Sequence, residues 1–94
     1  MRLLWTAGAA EDLREIHDYL FPDSPQAAHK IVNEIYDGIL ALKKMPYIGR
    51  PDESHRTRDL IFRQIRYKVT YRVRDDLVEI LYIRHTSHGM IEPQ

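Results

Sequence analysis

The stretch that decides the fold is Tyr67 to His85, YKVTYRVRDDLVEILYIRH. It holds two runs rich in β-branched and aromatic residues, joined by Asp75-Asp76, a tight-turn signal. In the first run Tyr67, Val69, Tyr71 and Val73 share one parity, and Lys68, Thr70, Arg72 and Arg74 share the other. Successive side chains on a strand point to opposite faces, so one face joins a core and the other presents a basic row. The second run, Leu77 to Ile83, is apolar at nearly every position except Glu79, the pattern of an interior strand covered on much of both faces. A small sheet with one cationic face suits an anionic or acidic partner.

Upstream of this hairpin, Arg58 to Ile65 is a third strand candidate, and Tyr47 to Thr57 reads as a polar loop headed by Gly49-Arg50-Pro51. Before the loop, Ala28, Ile31, Val32, Ile35, Ile39, Leu42 and Met45 trace one apolar stripe at helical spacing. Ser24 is the N-cap candidate and Pro25 suits the first helical position, where its missing N–H costs nothing. Lys43 and Lys44 favour the C-terminal end of that helix dipole, and Pro46 and Gly49 mark the stop. An earlier helix over about residues 9–21 places Leu13, Ile16 and Leu20 on one side, with Glu11 and Asp12 in its first turn. Met1 to Trp5 reads as a short strand. The order is β-α-α-β-β-β, an α+β domain with an antiparallel helical hairpin packed on one sheet face. The other face, with Lys68, Thr70 and Arg72, is left open.

The chain of 94 residues suffices for one domain, assigned to 1–94, with a single core and little surplus stability. No apolar run is long enough to cross a bilayer, and the N-terminus lacks a signal-peptide pattern, so residence in the cytoplasm is expected. With no cysteine there is neither a disulfide framework nor a thiolate metal site. The net charge of zero hides a polarised distribution. Residues 9–37 hold seven acids against Arg14 and Lys30, whereas residues 50–74 hold eight bases against Asp52, Glu53 and Asp59. Opposite-signed halves either neutralise each other within the fold or mark a partner-binding surface. The histidines at 17, 29, 55, 85 and 88 lack metal-ligand spacing, since His85 and His88 are close but have no third ligand; no metal and no cofactor are expected.

The chain resembles the RelE/ParE toxin superfamily, and more closely its ParE-like branch, the plasmid stabilisation proteins. The resemblance runs through Trp5 with Ala10, Asp12-Leu13 and Ile16, then Pro25 and Ala27-Ala28, then Leu42, Pro46 and Gly49-Arg50. It continues at Arg58 and Leu60, at Tyr67-x-Val69-x-Tyr71-Arg72-Val73, and at Val78-x-Ile80-Leu81 with His85. It implies a small, mainly antiparallel twisted sheet. It also implies a growth-arresting toxin neutralised by a small ParD-like antitoxin, partly disordered when free, that folds onto it. Typical ParE-like members are inhibitors of DNA gyrase, whereas RelE-like members cleave messenger RNA on the ribosome.

Those two outcomes need different chemistry. Cleavage through a 2′-OH requires a proton acceptor, a proton donor for the leaving oxygen, and cations for the developing charge. RelE-type toxins, to which the fold is similar, place lysines on the strand equivalent to residues 58–65, and this strand has none. Lys68 stands where such enzymes carry an arginine, which keeps the charge and loses the bidentate fork. A YoeB-like sister group uses a glutamate after a Gly-x-Pro turn and a C-terminal histidine, which Gly49-Arg50-Pro51-Asp52-Glu53 and Arg84-His85 match in part. In that nuclease reading His85 moves the proton while Lys68 and Arg72 hold the phosphate; in the structural reading His85 ties off the last strand. Tyr67 and Tyr71 share parity with the valines and are core residues. A pI near 7.0 argues against strong direct DNA binding.

The favoured expectation is a gyrase-binding toxin whose target or antitoxin surface comprises Arg50, Arg58, Lys68, Arg72, Arg84 and His85. The alternatives are a ribosome-dependent endoribonuclease and a non-toxic binding or co-repressor form of the fold.

Overall fold

Both helices start at a hydroxyl side chain. In the computed structural model, which describes residues 1–86, helix α1 (Ala7–Leu20) follows Thr6, whose Oγ1 accepts the Ala9 N–H at 3.2 Å. Helix α2 (Pro25–Ala41) follows Ser24, whose Oγ accepts the Ala27 N–H at 3.1 Å, with Pro25 in the first turn. The second start agrees with the sequence reading and the first does not. Thr6 caps α1 two residues earlier than expected, so Glu11 and Asp12 lie beyond the first turn. Asp12 has another task. Its Oδ2 accepts the Ile83 N–H at 2.9 Å and ties α1 to the last strand, β5 (Leu77–His85).

Five strands form one sheet in the order β1-β5-β4-β3-β2, where β1 is Arg2–Trp5, β2 Arg50–Asp52, β3 Thr57–Phe62 and β4 Tyr67–Arg74. The β1–β5 pair is parallel and the other three are antiparallel. Two boundaries depart from expectation. The presumed polar loop contains β2, whose Pro51 is tolerated because β2 is an edge strand. Strand β3 stops at Phe62 instead of Ile65, since Arg66 turns the chain at φ 63° and donates its N–H to the Phe62 carbonyl at 2.8 Å. Asp75 turns the next hairpin at φ 54°, a conformation that Asp tolerates better than most residues.

The helices cover one face of the sheet. Ile16, Ile35, Ile39 and Leu42 pack there on Val69, Tyr71, Val78, Ile80 and Ile83, all buried. The expected stripe holds except at its end, because α2 stops at Ala41 and leaves Met45 half-exposed. One irregularity in β5 sets which side chains join this layer. Thr70 pairs with Tyr82 and Tyr71 with Ile80, so Leu81 is a bulge with no residue opposite it. The bulge inverts the parity of everything after it. Val78 and Ile80 face the helices before Leu81, and Ile83 and His85 do so after it. Thr6 Oγ1 donates to the Ile80 carbonyl at 2.7 Å beside the bulge, anchoring the start of α1 to the irregular backbone.

Candidate functional site

Residues paired across neighbouring strands point to the same side of a sheet. The register therefore places Arg50, Lys68, Arg72 and Arg84 on the face away from the helices, with Asp59, Thr70, Glu79 and Tyr82 among them. The basic row is real, and acids are interleaved with it. Asp59 accepts a 2.6 Å hydrogen bond from Thr70 Oγ1 and lies 3.7 Å from Lys68 Nζ. Glu79 is nearly buried and accepts from both Arg72, at 3.1 Å, and Arg74, at 3.2 Å. Among the described residues, Arg50 and Arg84 are exposed and have no carboxylate within salt-bridge distance. Arg84 lies over the Tyr82 ring at 4.2 Å. This pair leaves a guanidinium and an aromatic surface together at the end of the row.

Two of the six residues assigned to this surface stand elsewhere. Arg58 pairs with Tyr71 and shares the parity of Leu60 and Phe62, so it belongs to the helix side. Its Nη1 donates to the carbonyls of Tyr47, at 3.0 Å, and Gly49, at 2.8 Å, and its guanidinium lies 5.0 Å from the Tyr47 ring centre. Arg58 thus caps the carbonyls of the α2–β2 corner, while Arg50 lies in the edge strand. His85 pairs with Tyr67 and meets its ring edge-on at 5.0 Å, on the helix side of the sheet. The strands therefore separate His85 from Lys68 and Arg72, and the three side chains named for nuclease chemistry do not converge.

Tyr71 supports the same corner as Arg58. Its buried hydroxyl donates to the Pro46 carbonyl at 2.8 Å and accepts the Gly49 N–H at 2.8 Å. Burial pushes its phenol pKa up, with the Gly49 N–H and the Arg58 charge opposing that shift. Tyr67 is also raised, mainly by burial. Both tyrosines are core residues, as their parity indicated.

Two depressions flank α1. A cleft of about 790 Å³ lies between α1 and the sheet, floored by Ile16, Tyr67 and Ile83 and edged by Asp12, Tyr19 and His85. A smaller apolar groove of about 380 Å³ is lined by Trp5, Leu13, Val32 and Tyr36. Among the described residues no three His, Cys, Asp or Glu side chains are placed to hold a metal ion, and His88 lies outside those residues. No helix among them is long and apolar enough to cross a membrane. Asp59 and Glu79 stand out in the sequence, one as an acid within the basic stretch and the other as the exception in an apolar run. Tyr82 gave no signal, because its side depends on the bulge at Leu81.

Three comparisons agree with this architecture. The family described as "ParE toxin of type II toxin-antitoxin system, parDE" matches residues 3–90. A protein of Sinorhizobium fredii named "Putative toxin Y4kP" is 39% identical over 84 residues, covering 89% of this chain and 86% of that one. A chain from a structure described as "Chromosomal ParDE TA system from P. aeruginosa" superposes with a TM-score of 0.80 at 31% identity. That superposition covers 90% of this chain and 95% of the other. On the family match, on the relative that shares more than a third of its residues, and on the shared helical hairpin and sheet, this chain belongs to the ParE toxin family of type II toxin–antitoxin systems.

Proposed function

We propose that this toxin acts in the cytoplasm by binding DNA gyrase as a protein ligand, and that a cognate antitoxin neutralises it by covering the uncovered sheet face. The observation that carries the reading is the row of Lys68, Arg72 and Arg84 on that face, with His85 turned to the opposite side. Such a surface offers charge and an aromatic platform for docking without a histidine aligned to move a proton. An antitoxin segment rich in acids would exchange partners with Lys68 and Arg72 and meet Arg50 and Arg84 directly. Its apolar residues would enter the groove lined by Trp5, Leu13, Val32 and Tyr36. Gyrase as the target follows from the resemblance to the ParE-like branch.

Purified protein should inhibit DNA supercoiling by gyrase, and equimolar antitoxin should restore it. The same preparation should leave messenger RNA intact on translating ribosomes. Ribosome-positioned cleavage without an effect on supercoiling would replace this reading with the nuclease one.

A further inference from the structure

The segment between α2 and β2 exposes Met45, Tyr47 and Ile48 at 52%, 60% and 48% of their surface. Exposed apolar side chains on a mobile loop would mean little, but this backbone is held from beneath. The Tyr71 hydroxyl joins the Pro46 carbonyl to the Gly49 N–H, and Arg58 bridges the Tyr47 and Gly49 carbonyls. Leu42, fully buried, anchors the other end. Gly49 completes the fit, since a Cβ there would lie 2.5 Å from the Tyr71 oxygen. The three side chains are therefore displayed on a preorganised backbone, which lowers the ordering cost of binding.

The charge around them has one sign. No acid occurs from Gly38 to Pro51, whereas Lys43, Lys44 and Arg50 are exposed on this stretch. The N-terminal ammonium of Met1 joins them by donating to the Lys43 carbonyl at 3.0 Å. Arg58 lies against the Tyr47 ring. An aromatic on an arginine, beside aliphatic side chains and a cationic rim, has the composition of a binding hot spot.

We infer that the Met45–Ile48 corner is a second docking surface, fitted to an acidic amphipathic segment of a partner protein. Lys68, Arg72 and Arg84 take no part in it. Three neighbouring apolar side chains favour a protein segment over a nucleic acid, which would use the cations alone. A second copy of this chain fits less well. Its complementary surface would be the acid-rich α1, so the contact would join unlike faces and propagate instead of closing as a dimer. The inference goes beyond the gyrase and antitoxin reading, and its failure leaves that reading standing.

The test is amide chemical-shift mapping on the full chain. The probe is a short synthetic helical peptide with leucines on one side and glutamates on the other. Binding at the corner should shift the amides of residues 43–50, whether or not those of Lys68, Arg72 and Arg84, which report the sheet-face site, shift as well. Replacing the glutamates by lysines, or the leucines by glutamines, should weaken it about tenfold or more. Tyr47→Ser and Ile48→Ser should each weaken the response of residues 43–50 similarly while preserving the remaining spectrum, and Lys68→Ala should leave that response unchanged. Shifts confined to the sheet face, equal binding of the lysine peptide, or self-association through residues 43–50 would each overturn the proposal.

Discussion

Arg58 and Arg72 come from the same basic stretch of sequence, yet the fold gives them opposite work. Arg58 lies on the helix side, where it closes the α2–β2 corner by donating to two carbonyls. Arg72 lies on the side away from the helices, where it shares Glu79 with Arg74. Strand parity decides between them, because Arg58 aligns with Leu60 and Phe62 while Arg72 aligns with Lys68 and Thr70. A count of cations therefore overstates a binding surface. What counts is which face each side chain reaches and whether a carboxylate or carbonyl already occupies it.

The corner should be the more sensitive region. Tyr71→Phe removes a hydroxyl that satisfies the Pro46 carbonyl and the Gly49 N–H together, so it should cost about 2 kcal/mol, read from the urea midpoint. The same variant has a pH signature. The folded phenol retains its proton above the ordinary value of 10.0, so its stabilisation is complete below that pH. It is lost as pH rises through the folded value. Wild-type urea midpoints should fall in that alkaline window, and those of Tyr71→Phe should fall less, with Tyr67 accounting for the remainder.

A smaller effect is expected at Arg58. Arg58→Lys keeps a charge but loses the flat guanidinium on the Tyr47 ring and holds the two carbonyls through a compact, flexible ammonium, and should cost about 1.5 kcal/mol in thermal melts. The smallest effect belongs to the face away from the helices. Lys68→Ala breaks a 3.7 Å pair between partly exposed groups and should change stability by less than about 0.5 kcal/mol. If Lys68→Ala proved as damaging to stability as Arg58→Lys, the division between a corner that holds the fold and a face that contributes little to stability would fail.

Much of this was legible in the sequence. The alternation of Tyr67 to Val73, the Ser24-Pro25 helix start and the Ala28 to Leu42 stripe rest on local rules, and the structure follows them. The parity of Arg58 with Leu60 and Phe62 was also available, and it separates Arg58 from Lys68 and Arg72. Other features depend on contacts that no local window contains. Asp12 reads as a first-turn acid until Ile83, distant in sequence, supplies the N–H that it accepts. Strand β2 exists only because β3 offers an edge to three residues that include a proline. The side on which Arg84 and His85 stand depends on one unpaired residue, Leu81. Adjacent residues in a strand face apart, so those two could not share a surface in any register.

The most direct test of the central claim is the affinity of the cognate antitoxin, measured by calorimetry, for Arg84→Glu and for Arg58→Lys. If the uncovered face is the docking surface, Arg84→Glu should weaken binding about a hundredfold with an unchanged melting temperature. Arg58→Lys should lower the melting temperature and leave the affinity of the folded protein near that of the wild type. Unchanged affinity in Arg84→Glu, together with a large loss in Arg58→Lys at a temperature where it is fully folded, would contradict the assignment.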